Sequence, residues 1–207
     1  MADVADAIGM IEVEGVAGII VGADAAIKAA GVTLRGWESI GGFTTLFLAG
    51  SVGDVETAVR VGADAARVVV EHVVSAALHQ PQPETAAFIG FPVAATGAQT
   101  SEQTSEQASE PTQALGLVET RGYGSHIATN DAMVKAADVR IASVLTVHNR
   151  VVCTLLTGTV DDVEQAVDTA RQALRGSEWF LAAAVISQPM PEVLQAFAQQ
   201  RAGSGAA

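Results

Sequence analysis

Few residues of this chain have types and spacing suited to chemistry. The single cysteine, Cys153, leaves neither an internal disulfide nor a cysteine-pair metal knuckle. His72, His79 and His126 have no partner repeated elsewhere in the chain. No Ser-His-Asp or Cys-His arrangement is visible along it, although triads can assemble from distant residues. Glu12 and Glu119 hold the same place in two similar stretches, and read as structural acids near strand ends, not as a catalytic pair. GVAG and GADAA are glycine-containing helical stretches without the spacing of a phosphate-binding loop. No catalytic residue is assigned, and the chain is expected not to be an enzyme. An enzyme would need a polar, partly buried pocket holding perturbed carboxylates or histidines. A small-molecule sensor would need a ligand-sized pocket between subunits.

Composition narrows the classes further. The 207 residues are 49% hydrophobic but only 4% aromatic, so the core is built from small aliphatic side chains with few bulky anchors. The formal net charge of -12 argues against a nucleic-acid surface, which would need many Lys and Arg. No basic amphipathic stretch offers itself to an anionic membrane. The opening MADVADAIGMIEVEG lacks the positive leader of a secretory signal. The Ala/Val-rich runs are broken by charges well short of the roughly 20 residues of a membrane helix. A cytoplasmic protein is expected.

The elements that position these residues come twice. AIGMIEVEG at 7–15 recurs as ALGLVETRG at 114–122, and ADAAIKAAGV at 23–32 as NDAMVKAADV at 130–139, both at an offset of 107 residues. GSVGDVETAV at 50–59 recurs as GTVDDVEQAV at 158–167, and QPQPE at 80–84 as QPMPE at 188–192, now at 108. The second copy has therefore gained one residue between about 36 and 50 of the first copy's numbering. Residues 92–112 are rich in Ser, Thr, Gln and Glu and read as a flexible linker. Domains are expected over 5–91 and 113–199, with a disordered tail at 200–207.

Each copy reads as strand, helix, strand, strand, helix, strand. Ile8, Met10 and Val13 open the first strand. Ile20, Ala23, Ile27 and Ala30 form the stripe of a helix over about 18–30, which Gly31 ends. In the second copy the stripe is Ile127, Val134 and Ala137, interrupted by Asn130. Strands over 32–39 and 43–49 flank the turn Ile40-Gly41-Gly42. Ser51 with Asp54, and Thr159 with Asp162, resemble capping boxes with Asp in the usual Glu place. Val55, Ala58, Val59, Gly62, Ala66 and Val69 form the buried face of the second helix. A last strand covers 73–79, and Pro81 and Pro83 stop pairing beyond it. The order predicts an α+β fold: two tandem ferredoxin-like βαββαβ domains, each an antiparallel four-stranded sheet with both helices on one face. The other face must meet water or a partner.

These residues resemble the bacterial microcompartment shell-protein family. Its domain opens with a G-[LM]-[IV]-E-x-x-G strand, matched by Gly9, Met10, Ile11, Glu12 and Gly15. Gly116, Leu117, Val118, Glu119 and Gly122 match it in the second copy. Its A-D-A-x-x-K-A-A helix is matched at Ala23, Asp24, Ala25, Lys28, Ala29 and Ala30, and at Asp131, Ala132, Lys135, Ala136 and Ala137. Both copies begin with the G-x-x-E strand, so the order is the unpermuted one. The resemblance implies a structural tile. Three two-domain chains would form a homotrimer with pseudo-sixfold symmetry and a central pore, joined edge to edge with hexameric and pentameric shell proteins.

The resemblance also implies roles. Lys28 and Lys135 belong at the tile edge, with Gln82 and Met190 standing where the family often has an arginine between two prolines. The pore loops would be Ser39, Ile40, Gly41, Gly42 and Phe43 in the first copy, and Thr146, Val147, His148, Asn149 and Arg150 in the second. Three copies of the polar, partly cationic His148-Asn149-Arg150 loop would favour anionic or neutral polar metabolites. Some tandem relatives carry an axial iron–sulfur cluster on a pore-loop cysteine. Here the first loop has none and Cys153 falls within the strand VVCTLL, where a buried structural thiol is expected. A threefold His148 zinc site is geometrically conceivable, but no other residue supports it. No cofactor or metal is assigned.

Overall fold

The computed structural model describes residues 6–82, 114–147 and 150–197. The expected linker and tail, Pro83, His148 and Asn149 lie outside the described residues. The first copy runs β1 (Ala7–Glu14), α1 (Ala17–Ala29), β2 (Thr33–Ile40), β3 (Phe43–Gly50), α2 (Val52–Arg67) and β4 (Val73–His79). The second runs β5 (Ala114–Arg121), α3 (Tyr123–Ala136), β6 (Arg140–Val147), β7 (Val151–Gly158), α4 (Val160–Ala173) and β8 (Phe180–Ile186). A further helix, α5 (Pro191–Phe197), follows. The two sheets are ordered β2-β3-β1-β4 and β6-β7-β5-β8, with every pairing antiparallel. The fold is the expected pair of ferredoxin-like domains.

Local chemistry explains the element starts. The Ser51 hydroxyl accepts the Asp54 N–H at 3.3 Å and donates to the Asp54 carboxylate at 2.6 Å. Thr159 and Asp162 repeat this at 3.2 and 2.6 Å. Each cap aspartate also accepts an N–H just beyond the preceding helix, from Gly31 or Asp138. The capping boxes therefore tie one helix start to the other helix end.

Period two along β1 turns Ala7, Gly9, Ile11 and Val13 toward the helices. α1 and α2 cross at two glycines. A Cβ on Gly62 would lie 2.7 Å from the Gly22 carbonyl oxygen and 2.7 Å from Ile11 Cδ1. The helices can approach this closely only where side chains are missing.

Three expectations need correction. Gly31 does not end α1 in a left-handed conformation. The cap residue is Ala30 in an extended conformation, and Gly31 is absent from the positive-φ positions. The stripe of α1 is wider than expected: Ala17, Ile19, Ile20, Ala23 and Ala26 are buried, while Ile27 and Ala30 are only half-buried. In α3 the stripe is rotated, burying His126, Thr129 and Met133 and leaving Ile127 and Val134 exposed. α1 docks onto the second domain and buries a second side, whereas α3 has no such neighbour among the described residues. α5 lies beyond the elements that the sequence pattern predicts; its local signals are Pro191 in the first turn, Glu192 beside it, and Val193 and Phe197 on one face.

Because the α1–α2 crossing has no spare volume, Gly62→Val is expected to destabilise the first domain by about 1–3 kcal/mol through overpacking, read by urea unfolding.

Candidate functional site

The helix-free face of the second sheet is not open to water. Leu115, Leu117, Cys153, Leu155, Ala182, Ala184 and Ile186 on that face share one core with Val16, Ile19 and Ile20 of the first domain and with Val193 and Phe197 of α5. β5 is buried on both faces along nearly its whole length, whereas β1 alternates. α5 completes the cover: the Phe197 ring stacks on Trp37 of β2 at 5.5 Å between centroids, and the Trp37 indole N–H donates to the Ala196 carbonyl.

Polar groups fix the register of this junction. Glu119, at the buried end of β5, reaches α1, whose cap residue Val16 supplies no side-chain cap of its own. Glu119 Oε1 accepts the Val16 N–H at 2.7 Å. The carboxylate of one domain thus caps a helix of the other, where unpaired N–H groups and the helix dipole favour an acceptor. Gly15, at φ +82°, makes room: a Cβ there would lie 2.5 Å from Glu119 Oε2. Burial is the larger influence on this acid. Desolvation raises the carboxyl from 4.5 to about 7, against the lowering effect of the Val16 and Ala17 N–H groups, and Glu14 raises it further.

A second grip lies at the other end of α1. Lys28 Nζ binds Asp24 and the Gln188 carbonyl, each at 2.5 Å, and Asp24 Oδ1 accepts the Met190 N–H at 2.7 Å. One lysine–aspartate pair therefore holds the backbone of the Q-P-M-P segment. The third contact joins equivalent positions: Arg121 of β5 meets Glu14 of β1 at 3.4 Å, and the two residues align at the 107-residue offset.

The repeat makes the burial informative, because each junction residue has a counterpart in the other copy. Ile20 is fully buried, but its counterpart Ile127 is 63% exposed. Val147 is 8% exposed, and its counterpart Ile40 75%. Ala182 is 3% exposed, and its counterpart Val74 66%. Tyr123 and Phe43 are likewise exposed where Val16 and Val151 are buried. Lys135 pairs with Asp131 as Lys28 pairs with Asp24, but both side chains stand largely in solvent. One chain thus contains one closed junction and the two unmatched halves of another.

The strand turns lie beside the Glu14–Arg121 contact. Gly41 and Gly42, at φ +63° and +95°, form the two-residue turn between β2 and β3, both in the region that favours glycine. Arg150, at φ +65°, ends the turn between β6 and β7, where the extra residue of the second copy falls. Gly15 N–H donates to the Gly42 carbonyl, and Gly122 N–H to that of Arg150. Each turn is thereby tied to the strand end carrying Glu14 or Arg121. Of the expected loop residues, Ile40, Gly41, Phe43, Thr146 and Arg150 are exposed, and Ser39 is half-buried with its hydroxyl on the Phe43 carbonyl. Gly42 is buried, and Val147 lies in the core at the junction.

Two candidates for chemistry are structural. His126 is buried, and the hydroxyl of Thr154 donates to Asn130 Oδ1 at 2.9 Å. Thr154 therefore accepts from His126 Nε2–H at 2.7 Å, and Thr120 donates to Nδ1 at 2.8 Å. Burial lowers the pKa of the imidazole and favours its neutral form, and with the Thr154 bond the proton sits on Nε2 and Nδ1 is the acceptor. The counterparts in the first domain, Ile19, Val13, Leu46 and Ala23, are all apolar. Cys153 is buried, and desolvation followed by the Glu119 charge pushes its thiol up, so it is a poor thiolate. Among the described residues no cluster of three His, Cys, Asp or Glu side chains has metal-binding geometry, and no helix is long and apolar enough to cross a membrane.

Fold and junction together define a tandem-domain protein built to dock one domain's helix on the next domain's sheet. The BMC domain model matches residues 7–82 and 114–189, and the chain belongs to this family of bacterial microcompartment shell proteins. It is 31% identical over 167 residues to the carboxysome assembly protein CcmO of Synechocystis sp., an alignment spanning 80% of this chain and 56% of that one. The CcmO protein of Synechococcus elongatus is 28% identical over 98% of this chain and 72% of its own length. The shell protein PduA of Salmonella typhimurium is 44% identical over 39% of this chain and 84% of its own.

The Glu119 cap makes junction stability depend on pH. Its folded pKa lies above the unfolded value, so its contribution is full below about 4.5 and is lost as pH rises through 7. His126 acts in the opposite sense: its folded pKa is lowered, so its contribution is full above the unfolded 6.5 and is lost as pH falls below it. Urea unfolding of wild type and Glu119→Gln from pH 4.5 to 8 is expected to show the wild type losing stability relative to the variant as pH rises.

Proposed function

We propose that three copies close into a flat trimer of six domains, a shell tile of a bacterial microcompartment with a central pore. The observation that carries this reading is the asymmetry of burial. The exposed face of α3 (Tyr123, Ile127, Val134) and the exposed sheet residues Ile40, Phe43 and Val74 are counterparts of surfaces that bury one another within the chain. A head-to-tail contact repeated with a closing rotation gives a ring, and two domains per chain need three chains for six positions.

Ring closure also locates the axis. Points related by sixfold rotation are separated by a distance equal to their radius. Glu14 and Arg121 occupy equivalent positions and touch, so in a closed ring they sit within on the order of 10 Å of the axis, alternating in charge. The turns tied to them, with Ser39, Gly41 and Gly42 in one domain and Thr146 and Arg150 in the other, border the opening. Ile40 and Phe43 belong instead to the junction between copies, as their counterparts Val147 and Val151 belong to the junction within the chain. Three Arg150 side chains make the opening locally cationic, favouring small anionic or polar metabolites despite the net charge of -12.

Lys28 and Lys135 lie at the tile edge. Lys28 spends two N–H donors within the chain, leaving the third for a neighbouring tile. Gln82 and Met190, in place of the family's arginine, favour mixed assembly with hexameric and pentameric shell proteins over self-tiling.

Sedimentation of the purified protein is expected to give a trimer, and a monomer would overturn this reading. Ile127→Glu places a charge in the copy-to-copy junction and is expected to weaken the trimer roughly a hundredfold while leaving the monomer fold intact by circular dichroism. Arg150→Glu is expected to slow anion entry severalfold into shells loaded with a halide-quenched dye, with uptake of a neutral polar solute unchanged.

A further inference from the structure

We propose that Glu12 of one copy caps the first turn of α3 in the next, repeating between chains the latch that Glu119 forms within each. The inference rests on the ring reading above and adds a specific pair of partners to it.

Glu12 and Glu119 hold the same position, two residues before the end of β1 and of β5, and both point to the helix-free face of their sheet. Glu119 has its helix: α1, capped at Val16. Glu12 has none among the described residues. Its Oε2 accepts the Thr45 hydroxyl at 2.7 Å, which orients the carboxylate and leaves Oε1 without a partner among the described residues. Thr45 lies directly opposite Glu12 on β3, where Cys153 lies opposite Glu119 on β7. The carboxylate awaiting a partner from another chain is therefore the one provided with a local donor.

The acceptor's counterpart is equally incomplete. α3 starts after Gly122 with no side-chain cap and no acidic residue in its first turn. Gly122 holds φ +77°, close to the +82° of Gly15. In front of Gly15 a Cβ would strike Glu119, while in front of Gly122 there is nothing within 4 Å. The second site has the backbone geometry of the first and an empty space where the carboxylate stands. The Tyr123 and Gly124 N–H groups are the counterparts of the Val16 and Ala17 N–H groups that Glu119 engages. A carboxylate arriving there meets unpaired donors and the positive end of a helix dipole.

Hydrogen exchange and sedimentation of the full-length protein test this together. In the wild-type trimer the Tyr123 and Gly124 amides should be protected. Glu12→Ala should speed their exchange about tenfold and raise the trimer dissociation constant about tenfold, without moving the Val16 and Ala17 amides. Glu12→Asp keeps the charge but shortens the reach. It should act in the same direction, and it decides the matter if the alanine variant does not fold. A trimeric wild type with both quantities unchanged in these variants overturns the Glu12 cap and leaves the ring standing. A monomeric wild type overturns the ring, and the cap with it.

Discussion

An antiparallel sheet with both helices on one side leaves its other face uncovered, and an aliphatic face cannot remain so in water. In the second domain that face carries Leu115, Leu117, Leu155 and Ile186, and its cover is a helix borrowed from the first domain. The rest of the molecule follows from that borrowing. α1 must be apolar on two sides, one toward its own sheet and one toward the next. This is why Ile19 and Ile20 are both buried and why the stripe is wider than a single face requires.

Burial of apolar area is non-directional, so it does not by itself set the register. The polar contacts at the edges of the junction do. Glu119 on the α1 amides and Asp24 and Lys28 on the backbone at 188–190 pin the start and the end of the docked helix, and Arg121 on Glu14 joins the ends of β5 and β1 beside it. Two of these contacts use residues present in both copies. The third sets a glutamate of one copy against an arginine of the other. Two identical domains would bring like charges together at this position, whereas the divergent pair brings opposite ones together.

The copies differ in how each closes its first helix onto its own sheet. The first domain closes α1 onto β1 and β3 with apolar residues alone. The second replaces that patch with the His126-Thr120-Thr154-Asn130 network, in which every hydrogen-bonding side chain has a partner. A satisfied network costs little relative to an apolar patch and accepts fewer alternative packings. The extra residue of the second copy falls between β6 and β7, and both pairings of β7 keep the registers of their first-domain counterparts.

The sequence by itself determined the repeat, the order of elements, the capping boxes and the family, because these depend on neighbours close along the chain or on similarity between two copies 107 residues apart. It also identified the turn at 41–42 and the position of the extra residue. The tertiary structure decided which face of each helix is buried. Ile20 and Ile127 are the same residue in the same local pattern, yet one is core and the other surface, since only the first has a neighbouring sheet within the chain. The partner of Glu119 was equally hidden: its strand shows an acid among apolar residues, while the amides it caps lie 103 positions away. Local pattern specifies what each domain can offer, and docking specifies what each surface meets.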